Sequence, residues 1–351
     1  LAAKHLKLAV IGAGRIGRFH ASLLKQLALE LPVKVTWVAD ISEEAARNLA
    51  HTIGAEHWTT DLEAVFSSDV DGVVVAASTP IHSECLRLAA KHHKHVFCEK
   101  PAGLNSESLI KSKEALDAAG VHVVIGFNRR FDNDVLEIVA KRDRGEIGDV
   151  FTATLNHRDP VFQGMAFLGT AGGLFKDLGI HDFDLIHLLM PYSIKSVLTL
   201  GRSNIPELAN IGQVDTAGII LEHEGNRWSY LSFSREANFA YDQRFELLGT
   251  KGGLLSKLHP VNSVELCNSD ALRLDPHYSK EMPAFIYRHK LSYEREMRSF
   301  VKLLLNEPAP KGATIDDALN AMILADAAME SLAQGGRVDY TAFKAGKLGQ
   351  V

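Results

Sequence analysis

Residues 7–24, KLAVIGAGRIGRFHASLL, limit the fold more than any other stretch of the chain. An apolar run that reads as a buried strand is followed by Gly12, Gly14 and Gly17, and a helix is predicted over residues 15–30. A G-x-G-x-x-G match alone is weak, but between a strand and a helix it has the context of a dinucleotide-binding turn. Gly12 permits the tight turn, Gly14 lets the backbone approach a pyrophosphate, and Gly17 lets the helix lie close on the strand. The phosphates would sit at the helix N-terminus, where free N–H groups and the helix dipole favour anions. Arg15 and Ile16, inside the motif, belong with the glycines as expected cofactor residues.

Strand and helix alternate through the first third. After VKVTWVAD (33–40) come a helix, a strand near DGVVVAAS (71–78), a helix, HVFCEK (95–100), a helix and VHVVIGF (121–127). Valine-rich strands separated by crossover helices predict a parallel sheet covered on both faces. Asp40 ends the second strand, where a carboxylate can accept the adenosine ribose hydroxyls and repel a 2′-phosphate. Ile41 and Ser42 follow, neither of them an arginine, so the expected cofactor is NAD rather than NADP. The strands over 71–78 and 95–100 run out into STPIH and CEKP. Ligands of an open parallel sheet bind outside the carboxyl ends of its strands. Ser78, Thr79, Pro80, His82, Glu99 and Lys100 therefore stand at the expected cofactor edge, with Ile41 beside Asp40.

The pattern changes after a helix near 131–142. FTATLNHR, SIKSVLTLG, DTAGIILEHE, RWSYLSFSRE, YDQRFELLGT, GGLLSKL and SVELCNS read as strands mostly linked by turns, and helices return near 291–305 and 315–333. The expected class is α/β: a Rossmann-type parallel-sheet domain over 1–127, then an α+β domain over 128–351 with an open, largely antiparallel sheet. The C-terminal helices either belong to the second domain or pack back on the first. GIILEHE and WSYLSFSRE alternate imperfectly, so one sheet face is expected to need a partner, which predicts a homo-oligomer, a dimer or tetramer.

A net charge of −5, without a dense Lys/Arg block, argues against nucleic acid as a partner. KHHKH (91–95) reads as a solvated helix end. No apolar run approaches the roughly 18 residues of a membrane span. The apolar part of LAAKHLKLAVIGAG is too short for a signal peptide. The three cysteines show no C-x-x-C spacing, so neither a disulfide nor a cysteine-built zinc site is expected, and the cytoplasm is the expected compartment.

GGLFKDLGIHDFDLIHLLMP (172–191) raises the question of chemistry. At about 100° per residue, His181 falls roughly 40° from Asp177 and Asp184 roughly 20° away on the other side, making one polar stripe on an otherwise apolar helix. A buried charge must be paired or hydrogen-bonded. A satisfied Asp–His pair inside a core and a functional pair fit equally well on this segment alone.

Taken together, GAGRIG, Asp40, STPIH, EKP, FNRR and GG-x3-D-x3-H resemble the Gfo/Idh/MocA oxidoreductases, and within them the inositol dehydrogenases. The resemblance covers nearly the whole chain. It implies oxidation of a secondary alcohol on a polyol or sugar, with Lys100, Asp177 and His181 as the catalytic residues. It further implies substrate contacts from Arg130, His157, Asp159 and Tyr241, besides Lys100, Asp177 and His181. HRDP (157–160) carries Asp159 where that group has asparagine, and Asn128 replaces a methionine before the two arginines. His181 is the expected general base, Asp177 its support, and Lys100 the donor to the reacting oxygen. The three come from different domains yet are expected to act on one carbinol. No metal is expected, since the lysine already supplies the electrophile. The leading substrate is an inositol, myo- or scyllo-. A pyranose dehydrogenase is the alternative, and an NAD-sensing regulator or an NAD-using glycoside hydrolase are further ones.

Overall fold

The structure is a computed structural model that describes residues 5–159, 172–235, 237, 241–256 and 284–349. The chain divides into two compact units. One takes the described residues up to Asn128 together with Leu291–Leu319, and the other takes the described residues of 129–290 and 320–349.

The first unit holds six strands, β1 (Leu6–Ile11), β2 (Val33–Ala39), β3 (His57–Thr59), β4 (Gly72–Val75), β5 (His95–Glu99) and β6 (Val123–Gly126). They are ordered β3-β2-β1-β4-β5-β6, every pair parallel. The crossovers carry α1 (Arg15–Leu27), α2 (Glu43–Ile53), α3 (Leu62–Phe66), α4 (Thr79–Lys91) and α5 (Ser106–Ala119). β3 and α3 escape the sequence pattern because HWT is short and largely exposed and LEAVF is a single helical turn. Order reverses between β1 and β4, so the carboxyl ends of β1, β4 and β5 form the edge where ligands of such sheets bind.

The second unit opens with a 3-10 turn (Asn128–Phe131, from Arg129 on) and α6 (Asn133–Asp143). Its sheet contains β7 (Val150–Arg158), β8 (Ile194–Arg202), β9 (Thr216–His223), β10 (Arg227–Ser234), β11 (Asp242–Gly249), β12 (Gly252–Leu255) and β13 (Val338–Asp339), ordered β12-β11-β7-β10-β9-β8-β13. Only β7 and β10 pair parallel, so the sheet is mixed and mostly antiparallel. SVELCNS lies outside the described residues. The remaining helices are α7 (Ile180–Leu189), α8 (Pro206–Asn210), α9 (Ala284–Leu304), α10 (Ile315–Gln334) and α11 (Tyr340–Leu348). Residues 291–304 of α9 join the first unit, where Met297, Phe300 and Val301 share a core with Leu8, Val10, Leu24, Val74 and Phe97.

Alternation along β7–β11 sends Ala153, Leu155, Ile219, Leu221, Leu231, Phe233 and Leu247 into the core. At intervening positions Trp228, Ile220, Leu200 and Leu248 stand exposed. α7 packs on the buried face, with the Phe183 ring edge-on to Phe233 at 5.8 Å. Among the described residues no helix is long and apolar enough to cross a membrane. Cys85 and Cys98 are free and buried, and burial pushes the Cys85 thiol up to about 12, so neither is a reactive thiolate. Cys267 lies outside the described residues.

Candidate active site

In the first unit, the turn after β1 is shaped by what a side chain would strike. Gly12 has φ +101°, and a Cβ there would lie 2.6 Å from the Ala76 carbonyl carbon. A Cβ on Gly17 would lie 1.8 Å from the Gly12 carbonyl oxygen. Gly14 differs: a Cβ there meets nothing within 4 Å. Gly14 also caps α1 without a side-chain bond, and no acidic residue stands in the first turn. The helix thus offers N–H donors beside open space, which fits the pyrophosphate of a dinucleotide. Arg15 is exposed and Ile16 half-buried beside it.

Asp40 shapes the same turn. One carboxylate oxygen accepts from the Ala13 N–H at 2.6 Å and the other from the Ser42 N–H at 2.8 Å. Ile41 is 97% exposed next to it. An acidic acceptor tied to the glycine turn, with no cation following it, fits a ribose diol and disfavours a 2′-phosphate.

At the ends of β4 and β5, Ser78 and Pro80 are exposed and Thr79 is half-buried. His82 and Glu99 turn inward instead. The His82 ring nitrogens face the carbonyls of Pro101 (2.8 Å) and Ala77 (2.9 Å), and burial pulls its pKa down. Glu99 is bonded to His20 at 2.7 Å and accepts from the Lys100 N–H at 3.1 Å. These two residues brace the turn that presents the half-buried Lys100. The Lys100–Pro101 peptide is cis.

In the second unit, residues 172–191 are not one uniform helix. Leu174–Leu178 form a π-turn, with the Gly179 N–H bonded to the Leu174 carbonyl five residues back at 2.9 Å. A Cβ at Gly179 would come 3.0 Å from the Phe175 carbonyl, so glycine allows the wide turn to close onto α7. Every residue from Ile180 to Ile186 is buried, His181 included. Asp177 accepts from the Arg235 guanidinium at 3.0 Å, and the same guanidinium donates to the Gly173 carbonyl at 2.8 Å. Arg235 therefore holds both the start of the π-turn and its carboxylate.

The two arginines of FNRR divide their work. Arg130, expected at the substrate, donates twice to Asp184 at 2.8 and 2.5 Å, so Asp184 has an arginine partner. Arg129 is the buried one that reaches His157 at 2.7 Å, Asp182 at 3.1 Å and the Tyr241 hydroxyl at 3.4 Å. His157 also donates from Nδ1 to Asp182 at 2.7 Å, so both its ring nitrogens are engaged inside the protein. Burial first, and the Arg129 charge second, bring the His157 pKa down to about 4. The ring is neutral at physiological pH. Burial pushes the Tyr241 phenol up, so its hydroxyl stays protonated. Tyr241 also accepts from Gln243 at 2.5 Å. Asp159 is half-buried, 3.8 Å from the His157 ring. His187 donates to its own helix at the Phe183 carbonyl.

Sequence reasoning missed Arg129, Asp182 and Arg235. The resemblance pointed to the second arginine of FNRR, and no local pattern marked the first. Asp182 sits about 140° from Asp177 on a regular wheel, off the stripe. Arg235 meets its partner across 58 residues, which no local pattern reveals. Among the described residues no three His, Cys, Asp or Glu side chains gather to hold a metal ion.

Comparison with known proteins agrees with this architecture. The oxidoreductase family with an NAD-binding Rossmann fold, GFO/IDH/MocA, matches residues 6–127, and the GFO/IDH/MocA C-terminal domain matches residues 135–255. The inositol 2-dehydrogenase of Rhizobium meliloti is 32% identical over 94% of this chain and 97% of its own. The myo-inositol 2-dehydrogenase of Thermotoga maritima is 32% identical over 93% of this chain and 96% of its own. The crystal structure of the Lactobacillus casei scyllo-inositol dehydrogenase with bound NAD(H) and scyllo-inositol superposes with a TM-score of 0.82 at 25% identity, covering 96% of this chain and 100% of that one. The two family models over most of the chain and the near full-length likeness at 32% identity establish that this chain belongs to the Gfo/Idh/MocA family of oxidoreductases.

Proposed function

We propose that the protein is an NAD-dependent dehydrogenase that oxidises a secondary hydroxyl of an inositol, myo- or scyllo-, to the ketone. The observation that carries it is the arginine-held Asp177 in the π-turn, four residues before the buried His181 of α7. A buried charge costs stability unless it is paired or hydrogen-bonded, and Arg235 supplies that pairing for Asp177. The relatives acting on myo- and scyllo-inositol support the substrate class.

NAD, when bound, supplies the hydride acceptor. Gly12, Gly14 and Gly17 would admit its pyrophosphate to the α1 N-terminus, and Asp40 would accept the ribose hydroxyls. His181 takes the hydroxyl proton from the carbinol. Asp177 steadies the imidazole and favours its charged form. Lys100 donates to the reacting oxygen and stabilises the charge that develops on it. Tyr241 supplies a donor to a ring hydroxyl, with Asp159 as an acceptor near it, and Arg129 holds Tyr241 and His157 in place. The enzyme is expected in the cytoplasm as a homo-oligomer, with the exposed Trp228, Ile220, Leu200 and Leu248 face covered by a second copy.

The test is NADH appearance with purified protein and a panel of inositols and aldopyranoses. The expected result is the highest kcat/KM on myo- or scyllo-inositol. Preference for a pyranose, or no NADH from any cyclic polyol, overturns the assignment.

A further inference from the structure

His20 is fully buried on α1, among the rings of Phe19, Phe97 and Tyr293 at 5.2–6.1 Å. An aromatic nest is an odd place for an imidazole, and its Nδ1 has no hydrogen-bond partner among the described residues. A phenylalanine would fill the same space without leaving a nitrogen unmet. What only the histidine does there is hold Glu99: Nε2 stands 2.7 Å from Oε1, and a carboxylate can only accept, so the histidine donates. The other oxygen, Oε2, accepts from the Lys100 N–H at 3.1 Å.

The carboxylate occupies a slot made for it. A Cβ on Gly126 would come 3.1 Å from the Glu99 carboxyl carbon, so the end of β6 lacks a side chain where that group lies. On the far side of Lys100, His82 engages the Pro101 carbonyl at 2.8 Å. The peptide entering Lys100 and the peptide leaving Pro101 are thus held by buried histidines, the first through Glu99 by His20 of α1 and the second directly by His82 of α4. A lysine side chain is long and flexible, and a fixed backbone narrows where its ammonium can reach.

We propose that His20 is a positioning residue for Lys100, acting through Glu99. This rests on the assignment of Lys100 to the reacting oxygen. It also means that α1, the helix that begins at the glycine turn, sets where that lysine points.

The experiment compares His20→Phe in the wild-type and Lys100→Ala backgrounds, on the best polyol, with NADH affinity followed by fluorescence. His20→Phe keeps the aromatic packing and should lower kcat by about 10²-fold, the cost of a small misplacement at a reacting centre. The Kd for NADH should not change. His20→Gln retains an N–H donor and should recover most of the loss. In Lys100→Ala, adding His20→Phe should cost nothing more, because the group it positions is gone. An equal loss in both backgrounds, or wild-type kcat in His20→Phe, overturns the inference alone. Wild-type turnover in Lys100→Ala overturns the lysine assignment and the inference with it. If His20→Phe does not fold, Glu99→Gln provides the same comparison, with a loss expected only where Lys100 is present.

Discussion

The two units build their functional surfaces from different materials. The cofactor edge of the first is mostly backbone: a glycine turn, a helix terminus, and Asp40 holding the Ala13 N–H. The candidate site of the second is mostly side chain: a π-turn clamped by Arg235, and Arg129 gripping His157, Asp182 and Tyr241. A backbone site is specified over a few adjacent residues and is intolerant of a single carbon atom. A side-chain site is assembled from distant strands and depends on matched charges. Substitutions should therefore fail differently in the two.

The largest effect is expected in the glycine turn. Gly17→Ala puts a Cβ 1.8 Å from a carbonyl oxygen, with no flexible neighbour to yield. Its cost should exceed the about 1–3 kcal/mol of ordinary overpacking, read as a large drop in Tm and loss of NADH binding. Gly14→Ala should keep Tm near wild type and lose only cofactor affinity, since its Cβ meets protein nowhere within 4 Å. Equal Tm losses for the two would break the contrast.

In the second unit the strongest break is Arg235→Met. It leaves Asp177, whose side chain is 16% exposed, without its guanidinium. Removing one partner of a buried pair costs about 3–5 kcal/mol, and partial exposure of Asp177 argues for the low end. Denaturant unfolding reads that loss, and kcat should fall while NADH affinity persists. Arg235→Lys restores the charge but not the fork to Gly173, so it should recover stability better than turnover. Full recovery of both by lysine would mean that the fork does not matter.

This contrast also explains what the sequence revealed. The parallel sheet, its crossovers and the glycine turn were legible because strand and helix periods and G-x-G-x-x-G are local patterns. The β3 edge strand was not, because HWT carries no apolar run. In the second unit the mixed sheet was legible as a run of strands, whereas the parallel pairing of β7 with β10 was not. Asp177 and His181 stood out as ionisable groups in an apolar segment. Arg130 came from the family resemblance, and only the tertiary fold shows that Arg130 turns toward Asp184 and Arg129 toward His157. The π-turn left no trace beyond Gly179.

A smaller effect comes from acid. The buried His157 and His289 both have pKa values brought down to about 4, by burial first and then, in His157, by Arg129; Asp132 opposes the shift in His289. Below the ordinary histidine value of about 6.5 the unfolded chain takes up protons that the folded protein does not. Stability is therefore full above that pH, falls as pH drops toward 4, and levels off below it. Each histidine contributes up to roughly 3 kcal/mol of this loss. Denaturant unfolding from pH 7 to pH 4 should show a shallower slope in His157→Gln than in wild type, and hydrogen exchange should place the acid loosening in the second unit.

The smallest effect is in cofactor choice. NAD should be favoured over NADP, and Asp40→Ser with Ile41→Arg should move that preference toward NADP by removing a repulsion and adding a phosphate partner. Because Asp40 also accepts from Ala13, the double variant should lose some affinity for NAD as well. Wild type turning over both cofactors equally would contradict the role given to Asp40.

The most direct test of the chemistry is the turnover of four proteins on the best inositol with saturating NAD: wild type, Lys100→Ala, His181→Ala and the double variant. His181→Ala should lose general-base assistance, about 10²–10⁴-fold, and Lys100→Ala a comparable factor with cofactor binding intact. The predicted result is strong non-additivity, the double variant falling little below the worse single, as the roles proposed for the two groups on one oxygen and its proton require. A double loss equal to the product of the single losses, or near-wild-type turnover in both singles, would contradict it and leave Asp177 and His181 as a structural pair.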